Sequence, residues 1–264
     1  LEPTPDGQQV AVATVSDTPT SRTLRGLWLG QRPGGSSRVL MSRAEVRTPP
    51  AEPGPMIDPR TSGEPVVEYL AFTPDGSRLL FGYKGIVTVI DPSGKEPARE
   101  FSSKARKIAV SGDRVFGIDT GTLYDLGTGE PVADPFTVGT LIKGGFIKGK
   151  PVLWAASDDG VLHFWDSRSG TALLTFYSLP GNHFFALMPD GQYDTNLGPD
   201  TDQMRWLMSD MPWQSLGAQT FMRDYYEPRL YEKLLDCTAA DNCAEALKPV
   251  PVLAGLNRVL PVVE

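Results

Sequence analysis

Apolar residues in this chain come in short runs, and each run is cut off by a cluster of Gly, Pro, Asp or Ser. Runs rich in Val, Ile, Leu, Phe and Trp and bounded by turn formers predict many short strands. The runs also keep a beat. In "TPDGQQVAVATV", "TPDGSRLLFGY", "SGDRVFGI", "KGKPVLWAAS" and "MPDGQYDTN" a turn precedes a β-prone stretch, marked by Asp6, Asp75, Asp113, Lys150 and Asp190. The steps from 75 to 113, 113 to 150 and 150 to 190 are 38, 37 and 40 residues. A second register agrees with the first. "GIVTVIDPSGK", "GTLYDLGTGE" and "GVLHFWDSRSG" each supply a short strand, an acidic residue (Asp91, Asp125 or Asp166) and a glycine turn. Gly and Asp-Gly steps suit the positive φ that hairpin turns demand.

Four short strands in ~40 to 45 residues with a Trp-Asp step are the signature of a propeller blade. "SDDGVLHFWDSRSGTALLTF", with Trp165-Asp166, resembles a WD-repeat blade, and "VVEYLAFTPDGSRLLFGYKGIVTVIDPSGK" is similar with Ile90-Asp91 in place of the dipeptide. Two other repeats depart further, with Tyr124-Asp125 and Leu29-Gly30 at that place. The resemblance covers residues 66–191 and weakens before them. It implies an all-β, WD-repeat-like β-propeller over residues 1–198, with four to five visible blades, the first and last incomplete. Exposed end strands need closure, so the two ends should complete each other or blades should lie upstream of Leu1. The step from Asp6 to Asp75 is 69 residues, longer than one blade. Residues 47–65 hold six prolines in nineteen residues, which predicts an exposed insertion between blades, read as a surface loop rather than a recognition segment.

After Asp190 the beat stops. Trp206, Trp213, Phe221, Tyr225, Tyr226 and Leu230 are too many large apolar groups to leave in water, and docking them is worth several kcal/mol at ~25 cal/mol per Å². "SLGAQTFMRDYY" predicts a helix entered at Ser215, and Pro228 suits the first turn of a second one. Residues 199–236 therefore read as a helical strap, and 237–264 as a linker and the start of a following module. The order "F..MPDGQYDTN", "RW", "F..YYEPRLYEKLL" and "LNRVLPVVE", over 182–264, resembles the segment that joins a WD-repeat propeller to an immunoglobulin-like module and a caspase-like (metacaspase-type) cysteine peptidase in a group of bacterial proteins. The chain has no initiator Met, which implies processing or excision from a longer polypeptide.

Charge narrows the partners. A net charge of -7, from 32 acidic and 25 basic residues, offers no positive footprint to nucleic acid or an anionic bilayer. No apolar run reaches the ~18 residues of a membrane span, and Leu1–Gln9 lacks the basic and apolar regions of a signal peptide. The compartment stays open, with the cytoplasm preferred to the cell envelope. Cys237 and Cys243 in "CTAADNC" either close a small disulfide loop or stay reduced, with the reduced form preferred. No second ligand pair points to zinc.

Candidate chemistry is sparse. The caspase-like site needs a His beside a reactive Cys, but here only His163 and His183 exist and no Cys is followed by that family's Arg/Gln-Gly pattern. His163 lies on a strand with Val161 and Trp165 and is expected to contact neighbouring blades. His183 with Cys237 is the one conceivable dyad, and Cys237 is expected in a polar loop beyond the strap. Asp194, Asp200 and Asp202 lack the ligand spacing of a calcium loop and read as a solvated turn. The Asp91, Asp125 and Asp166 carboxylates read as acceptors of turn amides.

The reading is a non-catalytic protein-interaction or sensing module with no cofactor, no metal and no catalytic residue. Its partner is protein, either its own downstream module or another polypeptide. Asp91, Asp125, Trp165, Asp166, Trp206, Trp213, Tyr225 and Tyr226 are the positions to examine for binding. An autonomous scaffold, a hydrolase with a channel site and a propeller that adds a peptide to an edge strand are the alternatives.

Overall fold

The turn clusters of the sequence become hairpins in the structure, a computed structural model that describes residues 2–6, 8–18, 21–31, 37–42, 67–83, 85–134, 136–198, 201–208 and 211–252. The Pro-rich stretch 47–65, Asp200 and "LNRVLPVVE" lie outside the described residues. Contacts divide the chain into two compact units, Leu1–Thr137 and Val138–Glu264.

The first unit opens with an antiparallel meander of β1 (Glu2–Pro3), β2 (Gln9–Thr18), β3 (Ser21–Gln31) and β4 (Ser37–Ser42). A second meander runs through β5 (Val67–Phe72), β6 (Leu79–Tyr83), β7 (Ile86–Ile90) and β8 (Arg99–Ser102). A third has β9 (Ile108–Ser111), β10 (Arg114–Gly117) and β11 (Thr122–Asp125), with a single Tyr124–Pro131 bridge beyond β11. Central strands buried on both faces need continuous apolar runs, and β6 is buried at every position. Leu80, Val87 and Val89 of the second meander pack with Val115, Tyr124 and Leu126 of the third, so consecutive blades share one core.

The second unit is built on a six-stranded meander: β12 (Leu141–Phe146), β13 (Val152–Ser157), β14 (Leu162–Asp166), β15 (Ala172–Leu179), β16 (His183–Leu187) and β17 (Tyr193–Thr195). Sequence reading assigned "MPDGQYDTN" to a new blade. Instead its hairpin, β16–β17, is hydrogen-bonded onto β15 from Thr175↔Leu187 to Leu179↔His183 and prolongs the same sheet. After it come a two-stranded ribbon, β18 (Arg205–Met208) and β19 (Met211–Gly217), a 3-10 turn (Ala218–Phe221), and helices α1 (Met222–Tyr225), α2 (Leu230–Ala240) and α3 (Cys243–Ala246).

The repeat is written in the backbone. Three meanders each carry a triplet of positive-φ glycines at like places, at 76, 85 and 94, at 112, 121 and 129, and at 149, 160 and 170, and the six-stranded one adds Gly181 and Gly191. Each triplet marks the three hairpin turns of one blade. Gly85 shows why the residue type is fixed: at φ +73°, an added Cβ would stand 2.8 Å from the Lys104 Cα. The fold is thus all-β, made of WD-repeat-like blades followed by a ribbon and short helices.

Sheet periodicity then decides what each face of the second unit receives. In β16, Phe184 and Ala186 point to one face and Phe185 and Leu187 to the other. The first face takes α2, whose Leu230, Leu234 and Cys237 recur at helical spacing and are almost fully buried against Val152, Phe164 and Leu174. The opposite face takes the ribbon, the 3-10 turn and α1, through Tyr193, Met208, Phe221 and Tyr225.

The closing stretch corrects four expectations. Ser215 lies in β19, so the helix expected from there begins later, and Trp206 and Trp213 stand on strands. A two-residue alternation along "RWLM" (205–208), with Trp206 partly buried and Met208 buried, overrode the helical reading. Trp213 is 82% exposed, although it was expected to dock with the other aromatics. α2 runs past residue 236 to Ala240, so Cys237 is a buried helix residue and not part of a polar loop. It forms a disulfide with Cys243, where the sequence reading had preferred reduced thiols.

Candidate functional site

The most catalytic-looking grouping in the described residues is Ser157, Asp159 and His163. Ser157 Oγ lies 3.3 Å from His163 Nε2 and donates to Asp159 Oδ1 at 2.5 Å. A nucleophilic triad needs the reverse wiring, with the serine proton going to the imidazole and the carboxylate holding the far ring nitrogen. Here the carboxylate takes the serine proton directly, and Val161 N–H fills the same oxygen. The same bracket closes two other turns. Thr73 donates to Asp75 at 2.6 Å while Ser77 N–H and Arg78 N–H close the ring, and Thr4, Asp6, Gln8 and Gln9 repeat it. Neither turn contains a histidine. Hydroxyl donors hold Asp6, Asp75 and Asp159 below the ordinary carboxylate range, and burial lowers His163. Ser157 and Asp159 are turn chemistry, and His163 lies stacked on Trp165 of its own strand, ring centroids 5.7 Å apart.

The acidic series makes the second kind of turn. Asp91 accepts from the Ser93, Lys95 and Glu96 amides at 2.7, 2.9 and 3.1 Å and from Ser93 Oγ at 2.7 Å. The Ser93 hydroxyl leads the bonds that hold its carboxyl well below the usual range. Asp125 accepts from Thr128 N–H at 2.9 Å and pairs with Arg114 at 2.6 Å. Asp166 accepts from the Arg168 amide at 2.7 Å and its guanidinium at 2.6 Å. Burial opposes ionisation of Asp166, but these bonds prevail and its carboxyl stays below the ordinary value.

Arg168 reaches further. It donates to Thr238 O at 3.2 Å and pairs with Asp241 at 3.4 Å, which joins the Asp166 turn to the end of α2. An open cleft of about 360 Å³ lies there, walled by Asp166, Arg168 and Thr171 on one side and by the Cys237–Cys243 bridge and Thr238 on the other. Neither Arg168 nor Thr238 carried any sequence signal, because the turn and the helix meet across about seventy residues.

Asp194, read from the sequence as part of a solvated turn, is buried, and its Oδ2 accepts from Leu230 N–H at 3.2 Å. Asp202 is exposed and pairs with Arg205 at 2.5 Å. The two carboxylates thus serve different structures. His183 and Cys237 make no dyad, since Cys237 is in the disulfide. Among the described residues no cluster of His, Cys, Asp and Glu has the makings of a metal site, and no helix is long and apolar enough to cross a membrane.

The ribbon offers the clearest surface. Trp206 pairs with Leu216 and both face the core, where Trp206 meets Phe221 and Tyr225 at centroid distances of 5.3 Å. Edge-on contacts of this kind add about 0.5–1.5 kcal/mol each beyond area burial. Tyr225 and Tyr226 belong to the same inner cluster, and burial, then the Asp194 charge, push the Tyr226 phenol up. The outer side of the ribbon is different. Leu207, opposite Ser215, is 72% exposed, and Trp213, two residues along β19 from Ser215, is 82% exposed.

No protein-family model matches the chain, and no curated protein matches it. Among solved structures, the chain is similar to one from the "Crystal Structure of Mitotic Checkpoint Complex", at 15% identity and a TM-score of 0.45, over 71% of this chain and 55% of that one. It is also similar to the "Structure of U3-55K", at 12% identity and a TM-score of 0.44, over 74% and 59%. The chain spans less than two thirds of the length of either.

Proposed function

We propose that this chain is a non-catalytic protein-interaction module and that the outer face of the β18–β19 ribbon is a contact surface. The observation that carries the reading is the exposure of Leu207 and Trp213 on a ribbon whose Trp206, Met208 and Leu216 pack against the core. A tryptophan buries on the order of 150–250 Å², so covering Trp213 alone offers about 4 kcal/mol of gross contact energy. Trp is also among the residue types enriched at interface hot spots.

The finer reading, a scaffold or sensing part of a caspase-like peptidase polypeptide, is supported by the order of sequence elements over 182–264. The intact mass of the native protein tests it. A species well above 28.7 kDa whose extra sequence holds a reactive Cys and a His is expected, and a species of 28.7 kDa overturns it. The contact surface is tested separately, with a photoreactive phenylalanine analogue in place of Trp213. One discrete adduct with another protein is expected, and Leu207→Ser should abolish it. No adduct, or only a self-adduct, refutes the assignment.

A further inference from the structure

The segment after α3 lies in a seat that reads it residue by residue. Gln192, 1% exposed, donates from Nε2 to the Lys248 carbonyl at 2.5 Å, and Tyr225 donates its hydroxyl to the Pro251 carbonyl at 2.7 Å. The two carbonyls are three residues apart, the repeat of a polyproline II helix. Pro249 and Pro251 fix their own φ and hold Lys248 and Val250 extended. Between the two anchors Val250 packs into the aromatic cluster around Tyr193 and Phe221. Lys248 Nζ donates to the Arg223 and Tyr226 carbonyls, both at 3.1 Å.

Paired side-chain donors to carbonyls one polyproline turn apart, with an apolar residue seated on aromatic rings, are the grammar by which proline-containing peptides are recognised. The seat is also incompletely used. Among the described residues Gln192 Oε1 is buried without a hydrogen-bond partner, and neither Pro249 nor Pro251 has an N–H to offer it. A ligand that presents an N–H at that point gains a bond that the chain's own segment forgoes.

We propose that Gln192, Tyr225 and the adjoining aromatic cluster form a peptide-binding groove, occupied in cis by Lys248–Pro251. Its trans ligand is an extended Lys-x-Val-Pro segment of another polypeptide. This surface is separate from the outer face of the ribbon, and its test does not involve Leu207 or Trp213. The tethered segment competes at an effective concentration in the millimolar range, so the groove is shut until the segment lifts.

The experiment uses the full chain carrying Val250→Asp, which expels the segment from the aromatic seat, and a labelled peptide of sequence EALKPVPVL. Fluorescence anisotropy should show saturable binding at least ~10-fold tighter to Val250→Asp than to the unaltered chain. In that background Gln192→Ala or Tyr225→Phe should each weaken binding about fivefold, the worth of one hydrogen bond. A peptide with Asp for its first Val should not bind. Pro249→Gly with Pro251→Gly is the second release variant, for use where near-UV circular dichroism shows that Val250→Asp has lost its packing. The inference is overturned if neither folded variant binds the peptide, if Gln192→Ala and Tyr225→Phe leave binding unchanged, or if release yields only dimers that exchange the segment.

Discussion

Removing the Asp194 carboxylate should unfasten α2 from the sheet. The helix enters through Arg229, which has left-handed backbone angles and no side-chain cap, so the Leu230 amide relies on Asp194 Oδ2 from β17. Two contributions are lost in Asp194→Ala. A missing N-terminal acceptor costs about 0.5–2 kcal/mol, and a carboxylate beside the amide end of a helix contributes about 0.3–1 kcal/mol more. The expected destabilisation is about 1–3 kcal/mol. Asp194→Asn keeps a carbonyl oxygen at the same place and loses only the charge, so it should recover at least half of that. Urea unfolding followed by circular dichroism gives the total, and hydrogen exchange of the α2 amides shows where it falls, with Leu234 and Cys237 losing protection before the strands. Equal effects of Ala and Asn, or a change below about 0.3 kcal/mol in both, would refute the capping argument.

Three further outcomes can be checked at the bench. Cys237→Ser with Cys243→Ser, or reduction, should cost about 2 kcal/mol by the entropy of a loop this short, read as a lower thermal midpoint. Gly85→Ala forces an L side chain to φ +73° and toward Lys104 Cα, and should destabilise by about 2 kcal/mol or more in a denaturant titration. On the alkaline side, burial pushes the Tyr193 phenol up to about 12 and raises Tyr225 and Tyr226. Because the folded chain holds these phenols neutral while the unfolded chain ionises them from pH ~10, their contribution is intact below pH 10 and is lost as pH rises towards 12. Tyr193→Phe should flatten that decline in thermal midpoint.

The sequence determined the local things. Turn residues bound to their own neighbours, as in the Thr73–Asp75 bracket or the amides around Asp91, need nothing beyond a few adjacent residues, and so the repeat, the strand class and the acidic turns could be read directly. Tertiary structure decided whatever depends on a partner far along the chain. Asp194 looks like a solvated acid until Leu230, thirty-six residues later, brings an amide to it. Cys237 looked like a loop residue because polar Asp236, Thr238 and Asp241 surround it, whereas helical spacing with Leu230 and Leu234 turns it onto the sheet and beside Cys243. Trp206 and Trp213 have the same chemistry and lie seven residues apart, yet one is core and the other surface. Pairing of β18 with β19 fixes which side of the ribbon each occupies, and no property of either residue alone carries that information.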